Sequence, residues 1–185
     1  GAFEAGIGVA LQVPQKLVDS DDAVGITEWA GEWIDHPALR WWYLSDEPEI
    51  RGVDPAALSN AASALRSLRV SKPILVVFFF ARQGARRYAG SFDLLGLDYY
   101  PAFRWAPEFV GVWLANFRGT VLGAGRVADK AGVPFVMVLQ GYGRADDGSD
   151  QFGRRQPTPA ETRYMLWTSL LARPKALLWW TRYRA

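Results

Sequence analysis

The chain has 185 residues, of which 50% are hydrophobic and 22% are charged, and its formal net charge is +2. This length predicts one domain or part of a larger one, and the composition excludes a disordered chain. Because 21 Lys and Arg residues barely outnumber 19 acidic residues, we expect no nucleic-acid partner.

Cysteine is absent and histidine occurs once, at His36, which excludes disulfides, thiolate chemistry and a His-rich metal site. We therefore expect no metal and no cofactor. No apolar run reaches the ~20 residues that a membrane span needs, so we expect no membrane partner. A signal peptide is not visible, and the localisation is unknown; secretion stays open if the natural N-terminus is missing.

The first half of the chain predicts three strands separated by helical segments. Helical periodicity extends from Gln15 to Ile34, with a break or cap at residues 19–22. Asp54 and Pro55 form a strong helix start, an N-cap followed by proline at the first helical position, and this helix is predicted to end at Arg69. Strands are predicted over residues 6–13, 39–44 and 74–80.

The second half continues the alternation of strands and helices. A short irregular segment is predicted over residues 82–90. A long helix is predicted over residues 108–131 with Gly132 as its C-terminal cap, but its four glycines predict a bend or break. Its predicted core residues include Phe109, Val112, Phe117 and Val121. Thr158 and Glu161 form a capping box that starts a helix ending near residue 172. Strands are predicted over residues 92–98, 134–140 and 176–180.

Strict alternation of strands and helices predicts a parallel sheet with right-handed crossovers. Two α/β architectures fit: an incomplete (β/α)8 TIM barrel of about six βα units, or an open doubly wound sheet. No glycine-rich dinucleotide fingerprint follows a strand, which disfavours the doubly wound sheet, and polar or aromatic residues end most strands, which favours the barrel. We predict one domain over residues 1–185, a barrel without its first two βα units and its last helix.

Three acidic residues, Asp46, Glu47 and Glu49, follow the second predicted strand directly. Parallel α/β folds usually present catalytic groups at the C-terminal ends of strands. A solvated acidic turn is the alternative interpretation. Many aromatic residues, nine Trp, seven Tyr and ten Phe, could also line a groove that binds sugars.

The segment from Trp42 to Pro48 resembles the fourth-strand motif of clan A (β/α)8 glycoside hydrolases, in which an Asn-Glu-Pro-like segment carries the general acid/base. Residues 134–140, the capping-box helix and the Trp179–Trp180 strand resemble strands seven and eight and the helix between them. The resemblance covers nearly the whole chain and implies strands three to eight of the barrel. It implies a carbohydrate partner and Glu47 as the general acid/base.

The nucleophile of clan A is a glutamate at the end of strand seven, and the matching position here is Gln140. An amide cannot act as a carboxylate nucleophile. Asp98, at the end of the fourth predicted strand, is the best replacement as a base or electrostatic stabiliser, although it could equally cap the turn before Pro101. The two predicted catalytic residues are therefore Glu47 and Asp98.

The remaining site residues are predicted to contact the sugar. Trp180 matches the aromatic residue that floors the reactive-sugar subsite, and a tryptophan face suits the C–H face of a pyranose. Gln140 would hydrogen-bond the substrate, and Asp46 would bind a sugar hydroxyl or fix Glu47. The predicted substrate-binding residues are Asp46, Glu49, Tyr100, Gln140, Tyr142 and Trp180.

Three functions follow from this pattern. The first is a glycoside hydrolase-like domain that cleaves glycosidic bonds by carboxylate acid/base catalysis. The second is a non-catalytic carbohydrate-binding or scaffold protein on the same barrel, because of Gln140. The third is another barrel enzyme, a lyase or metal-dependent hydrolase with carboxylate ligands. Self-association through the incomplete barrel also stays open.

Overall fold

The computed structural model describes residues 4, 6, 8–70, 72–102, 109–142 and 155–180. The chain divides into two compact units, residues 1–96 and 97–185. The prediction of a single domain over residues 1–185 stays a prediction. In the part of the chain that the structure describes, no helix is both long and apolar enough to cross a bilayer.

The first unit contains three complete strands and five helices, and β4 begins in it. The strands are β1 (Val9–Gln12), β2 (Leu39–Asp46) and β3 (Ile74–Phe78), followed by β4 (Leu94–Asp98). The helices are α1 (Gln15–Asp19), α2 (Ala23–Gly31), α3 (Pro48–Arg51), α4 (Pro55–Arg66) and α5 (Ala81–Arg87).

The sheet of the first unit has the order β1-β2-β3-β4. β1 pairs with β2 and β2 pairs with β3, both in parallel, so that the carboxyl ends of these strands lie at one edge. All five residues of β3 are buried, as expected for a strand covered on both faces. Asp54 caps α4 through a hydrogen bond from the Ala56 N–H, as predicted.

Two helices of the first unit, α3 and α5, were not predicted from the sequence. Residues 82–90 were predicted to be irregular, but Ala81–Arg87 form α5. Gly84 explains this helix, because a side chain there would collide with the buried ring of Phe78 and glycine lets α5 lie against it. The four-residue helix α3 is too short for apolar periodicity to reveal it.

The described residues of the second unit contain the end of β4, two further strands and two helices. These are α6 (Val110–Ala131), β5 (Phe135–Gln140), α7 (Pro159–Leu170) and β6 (Ala176–Trp180). Its strand order is β4-β5-β6, and β5 pairs with β6 in parallel. The capping box at the start of α7 and the glycine C-cap of α6 at Gly132 are confirmed.

The break predicted within α6 is wrong, because the helix runs without interruption through its 22 residues. Gly125 has a packing role, since a Cβ there would lie only 3.1 Å from the side chain of Ala172. Phe117 and Val121 are fully buried, as predicted for core residues. Phe109 and Val112, also predicted to be in the core, are exposed instead.

Candidate functional site

Glu47 lies between the end of β2 and the start of α3, with its backbone in the left-handed region at φ 42° and ψ 51°. Its N–H donates to the Val77 carbonyl of the neighbouring strand at 2.8 Å, and its own carbonyl accepts from the N–H groups of Ile50 and Arg51. A left-handed glutamate costs of order 1–3 kcal/mol, and such strain clusters at functional sites. The fold thus holds the predicted acid in an unusual, fixed backbone conformation.

Asp46 ends β2 and is half-buried beside Glu47. The Tyr43 hydroxyl donates to Asp46 Oδ1. Burial raises the pKa of the Asp46 carboxyl, while the Tyr43 hydrogen bond and the positive charge of Arg51 partly oppose that rise. Asp46 is therefore a hydrogen-bonded carboxylate in a partly desolvated position next to the predicted acid.

Glu49 is directed into the protein rather than into solvent. Its side chain is buried, and Oε1 accepts the Phe80 N–H at 2.7 Å. Oε2 is buried with no hydrogen-bond partner among the described residues. These contacts tie α3 to the segment that follows β3, and they favour a role in positioning that segment over direct contact with a substrate.

Tyr88 supports the turn after Glu47, and no pattern in the sequence predicted this role. It is fully buried, and the single hydrogen of its hydroxyl is shared between the carbonyls of Pro48, at 3.0 Å, and Val53, at 2.8 Å. It therefore fixes both ends of the turn that contains α3, immediately after Glu47. Nothing in the local sequence around Tyr88 signals this contact, which joins residues 35 and 40 positions apart.

In the second unit, Asp98 ends β4 and is buried. Tyr100 follows two residues later, and its ring packs edge-on against that of Tyr142, with centroids 5.5 Å apart. Tyr142 is itself buried. The structure thus brings together the two predicted substrate-binding tyrosines, one after β4 and the other after β5.

Gln140 is fully buried at the end of β5, and its amide makes hydrogen bonds only to backbone atoms among those that the structure describes. Oε1 accepts the Ala102 N–H at 2.9 Å. The two hydrogens of Nε2 are shared among the carbonyls of Ala102, Tyr142 and Arg155, at 3.2, 3.1 and 2.9 Å. These bonds favour a structural role, in which one amide holds three backbone segments together, over direct contact with a sugar.

The ion pair between Arg155 and Glu161 was not predicted from the sequence. The guanidinium donates to both carboxylate oxygens, at 2.7 and 2.5 Å, and Glu161 also accepts the Thr158 N–H. The hydrogen bonds from Arg155 and Thr158 lower the pKa of Glu161 to about 2, although burial opposes this. The capping-box motif signalled Glu161 as a helix cap, but not its partner arginine.

Trp180 ends β6 beside Gln140 of β5 in the parallel register. Its side chain is 36% exposed and that of Trp179 is 41% exposed, so neither is a fully buried wall residue. Because successive strand residues point to opposite faces, the two rings lie on opposite sides of the sheet. Trp180 is therefore accessible to a ligand, and its predicted sugar contact stays a prediction.

Within the described ranges of the chain, no three His, Asp or Glu side chains are grouped so as to hold a metal ion. Arg182, an additional weak candidate from its position beyond the last strand, lies outside the described residues. So do the acidic residues of the loop after β5, Asp146, Asp147 and Asp150.

The fold is similar to those of several solved glycoside hydrolases. A beta-glucuronidase of an uncultured Clostridium species matches over 97% of this chain and 34% of its own, with 14% identity and a TM-score of 0.69. A Ruminococcus gnavus beta-glucuronidase, solved with D-glucuronic acid, matches over 90% of this chain and 30% of its own, with 16% identity and a TM-score of 0.58. A hyperthermophilic endo-beta-1,4-glucanase matches over 92% of this chain and 60% of its own, with 12% identity and a TM-score of 0.57.

The chain shares its fold with these glycoside hydrolases. Its six parallel strands, alternating with helices, confirm the incomplete (β/α)8 barrel, since a closed barrel of this kind has eight strands. The chain spans about a third of the length of the two beta-glucuronidases and 60% of that of the glucanase. No protein-family model and no curated protein matches the sequence.

Proposed function

We propose that this chain belongs to an enzyme that hydrolyses glycosidic bonds, with Glu47 as the general acid. The observation that carries the proposal is the position of Glu47, in a strained left-handed conformation at the carboxyl end of β2. In parallel barrels the carboxyl ends of the strands carry the catalytic groups. The glycoside hydrolase fold supports the same reaction class.

In this reaction Glu47 donates its proton to the oxygen of the glycosidic bond as the bond to the anomeric carbon breaks. Asp98 is the proposed second carboxylate, which stabilises the developing positive charge on the sugar or takes a proton from the attacking water. Water supplies the new hydroxyl at the anomeric carbon, and the leaving sugar departs as an alcohol. Asp46, with its hydrogen bond from Tyr43, is proposed to bind a sugar hydroxyl or to fix Glu47.

The proposed substrates are β-linked sugars. The similar proteins are beta-glucuronidases and an endo-beta-1,4-glucanase, and this motivates two probes, 4-nitrophenyl β-D-glucuronide and cellotetraose. Trp180, Tyr100 and Tyr142 are the proposed aromatic contacts, because aromatic faces pack well against the C–H faces of pyranoses.

The deciding experiment replaces the proposed acid while keeping its shape, with Glu47→Gln. We expect hydrolysis of the responsive probe to fall about 10²- to 10⁴-fold, because general acid catalysis typically contributes that much. Product release is followed by absorbance for the aryl glycoside and by chromatography for the oligosaccharide. The matched control is Glu28→Gln, on the exposed surface of α2, which should hydrolyse like the wild type.

Unchanged turnover by Glu47→Gln contradicts the proposal. So does a wild-type protein that hydrolyses neither probe. Asp98→Asn tests the second carboxylate in the same assay, and wild-type rates in that variant would remove Asp98 from the mechanism without affecting the role of Glu47.

Gln140 supports a second candidate function, a non-catalytic carbohydrate-binding protein on the same fold. Its amide is fully buried and bonded to backbone groups, so it supplies no carboxylate where clan A enzymes carry the nucleophile. This function is distinguished by sugar binding in calorimetry without product, together with weaker binding after Trp180→Ala.

A further inference from the structure

Two aromatic rings lie at the carboxyl end of β3, next to the acidic turn that contains Asp46, Glu47 and Glu49. Phe79 and Phe80 follow the last residue of this strand, and their rings pack edge-on with centroids 4.8 Å apart. The Phe80 side chain is 50% exposed. A core role for this ring is therefore excluded, and a large apolar face is available at this edge of the sheet.

The backbone fixes this aromatic pair to the acidic turn. β2 and β3 are hydrogen-bonded neighbours, with Asp46 opposite Val77, and the Glu47 N–H donates to the Val77 carbonyl. Two residues beyond Glu47, the buried Glu49 carboxylate accepts the Phe80 N–H at 2.7 Å. Because backbone N–H groups bonded to carboxylates make strong hydrogen bonds, Phe80 is held in a defined place relative to the turn.

We propose that Phe79 and Phe80 form an aromatic subsite for one sugar ring of the substrate, beside the proposed acid Glu47, with Phe80 as its exposed stacking face. The inference rests on the proposed carbohydrate function and adds a binding residue that neither the motif nor the resemblance assigned. Glu49 is then a positioning residue that holds this subsite through the Phe80 N–H.

The chemistry of the surroundings selects a sugar over a purely apolar ligand. A pyranose has an apolar C–H face and a polar hydroxyl rim, and binding sites for such ligands combine aromatic faces with a few placed polar groups. Here Phe80 follows β3 at the same sheet edge where Asp46 and Glu47 follow β2, and carboxylates accept hydrogen bonds from hydroxyls.

The test compares Phe80→Ala with a matched control on the same chain. Phe109→Ala removes a phenyl ring of almost equal exposure, 52%, from a position outside the acidic turn. Binding of cellotetraose is measured by calorimetry in a Glu47→Gln background, so that the probe is not consumed. We expect Phe80→Ala to weaken binding about tenfold, equivalent to about 1.4 kcal/mol, while Phe109→Ala leaves it unchanged.

Three further variants, Phe80→Tyr, Glu49→Gln and Glu49→Ala, separate the effect of stacking from that of the local structure. Phe80→Tyr keeps the aromatic face and should restore the affinity. Glu49→Gln keeps an oxygen that can accept the Phe80 N–H and should bind the probe better than Glu49→Ala does. Circular dichroism of each variant shows whether the fold is retained.

The subsite is refuted if Phe80→Ala binds cellotetraose as tightly as its background, or if Phe109→Ala weakens binding equally. It is also refuted if the parent protein with Glu47→Gln does not bind the probe. The proposed hydrolysis fails by a different result, wild-type turnover in Glu47→Gln, so the two failures are distinguishable. A binding protein without hydrolysis would still show the expected loss at Phe80.

Discussion

At the scale of single residues, Glu47 and Gln140 show how differently two strand-end positions are used. Glu47 is only half-buried and sits in a strained conformation, which is typical of a residue kept for function. Gln140 is fully buried, and its amide is bonded to the backbone on both its oxygen and its nitrogen. The sequence predicted both as site residues, and only the tertiary contacts show that Gln140 is bonded to backbone groups; the catalytic role of Glu47 stays a prediction.

Gln140→Glu tests the structural role of this amide. An ionised carboxylate cannot donate to the carbonyls of Ala102, Tyr142 and Arg155, so the folded state would favour its protonated form. The introduced carboxyl therefore has a folded-state pKa above its unfolded value of about 4.3. We expect little loss of stability near pH 4 and a loss that grows as pH rises, reaching about 3 kcal/mol at pH 7.

Urea unfolding of this variant and the wild type, at several pH values between 4 and 7, measures the difference. The matched control is Gln156→Glu, which places the same carboxyl on an exposed side chain and should leave stability unchanged. An equal loss at every pH would show that donation by the amide is not what stabilises this end of the unit. A gain of hydrolytic activity in Gln140→Glu would instead mean that the new carboxylate is not held by the backbone and acts on the substrate.

At the scale of elements, local sequence signals predicted where helices start and end better than they predicted how the helices pack. The caps at Asp54 and Thr158 and the glycine at the end of α6 were confirmed because each involves hydrogen bonds between neighbours in sequence. The missed helix α5 depends on the fit of Gly84 against Phe78, and the unbroken α6 overrides the weak preference of its glycines. Tertiary packing outweighs intrinsic propensity in such segments.

The capping box of α7 gives a prediction about pH. Because the folded-state pKa of Glu161 is lowered from 4.5 to about 2, its contribution to stability is present above pH 4.5. That contribution is lost as pH falls towards 2. We expect Glu161→Gln to be about 2 kcal/mol less stable than the wild type at pH 7, since it loses the Arg155 ion pair and weakens the cap.

The difference between Glu161→Gln and the wild type should then shrink on acidification from pH 4.5 to pH 2, as followed by thermal or urea unfolding. Glu32→Gln, on an exposed residue at the end of α2, is the control and should show no such pH dependence. A difference that stays constant down to pH 2 would mean that the ion pair does not set the stability of the cap.

At the scale of the whole molecule, the described residues contain six strands of a barrel that closes with eight. In the strand order of the second unit, β6 has a hydrogen-bonded neighbour only in β5 among the described strands, and its last two residues are exposed tryptophans. Large exposed apolar side chains also occur at the end of α7 and just beyond it, at Trp167, Leu170 and Leu171. Exposed edges and apolar patches promote association.

We therefore expect this chain to self-associate through its second unit. The average mass in sedimentation should rise towards that of a dimer as the protein concentration increases. Replacing Trp167 and Leu171 with lysine should keep the protein monomeric, because a charged surface opposes burial. Val24→Lys, which changes an exposed apolar residue of the first unit, is the control and should associate like the wild type. A wild type that stays monomeric at high concentration contradicts this expectation.

The sequence by itself determined the order of the six described strands, the helix starts at Asp54 and Thr158 and the position of the acidic turn, and it favoured the barrel over the doubly wound sheet. These depend on apolar periodicity, caps and turn residues, all of which act between near neighbours in the chain. The tertiary structure alone decided that Glu49 and Gln140 are buried and bonded to the backbone and that Phe80 is exposed, with its N–H bonded to Glu49. It also revealed the support of the acidic turn by Tyr88. Burial and hydrogen bonds between residues 30 to 40 positions apart depend on how the strands and helices pack, and no local pattern encodes them.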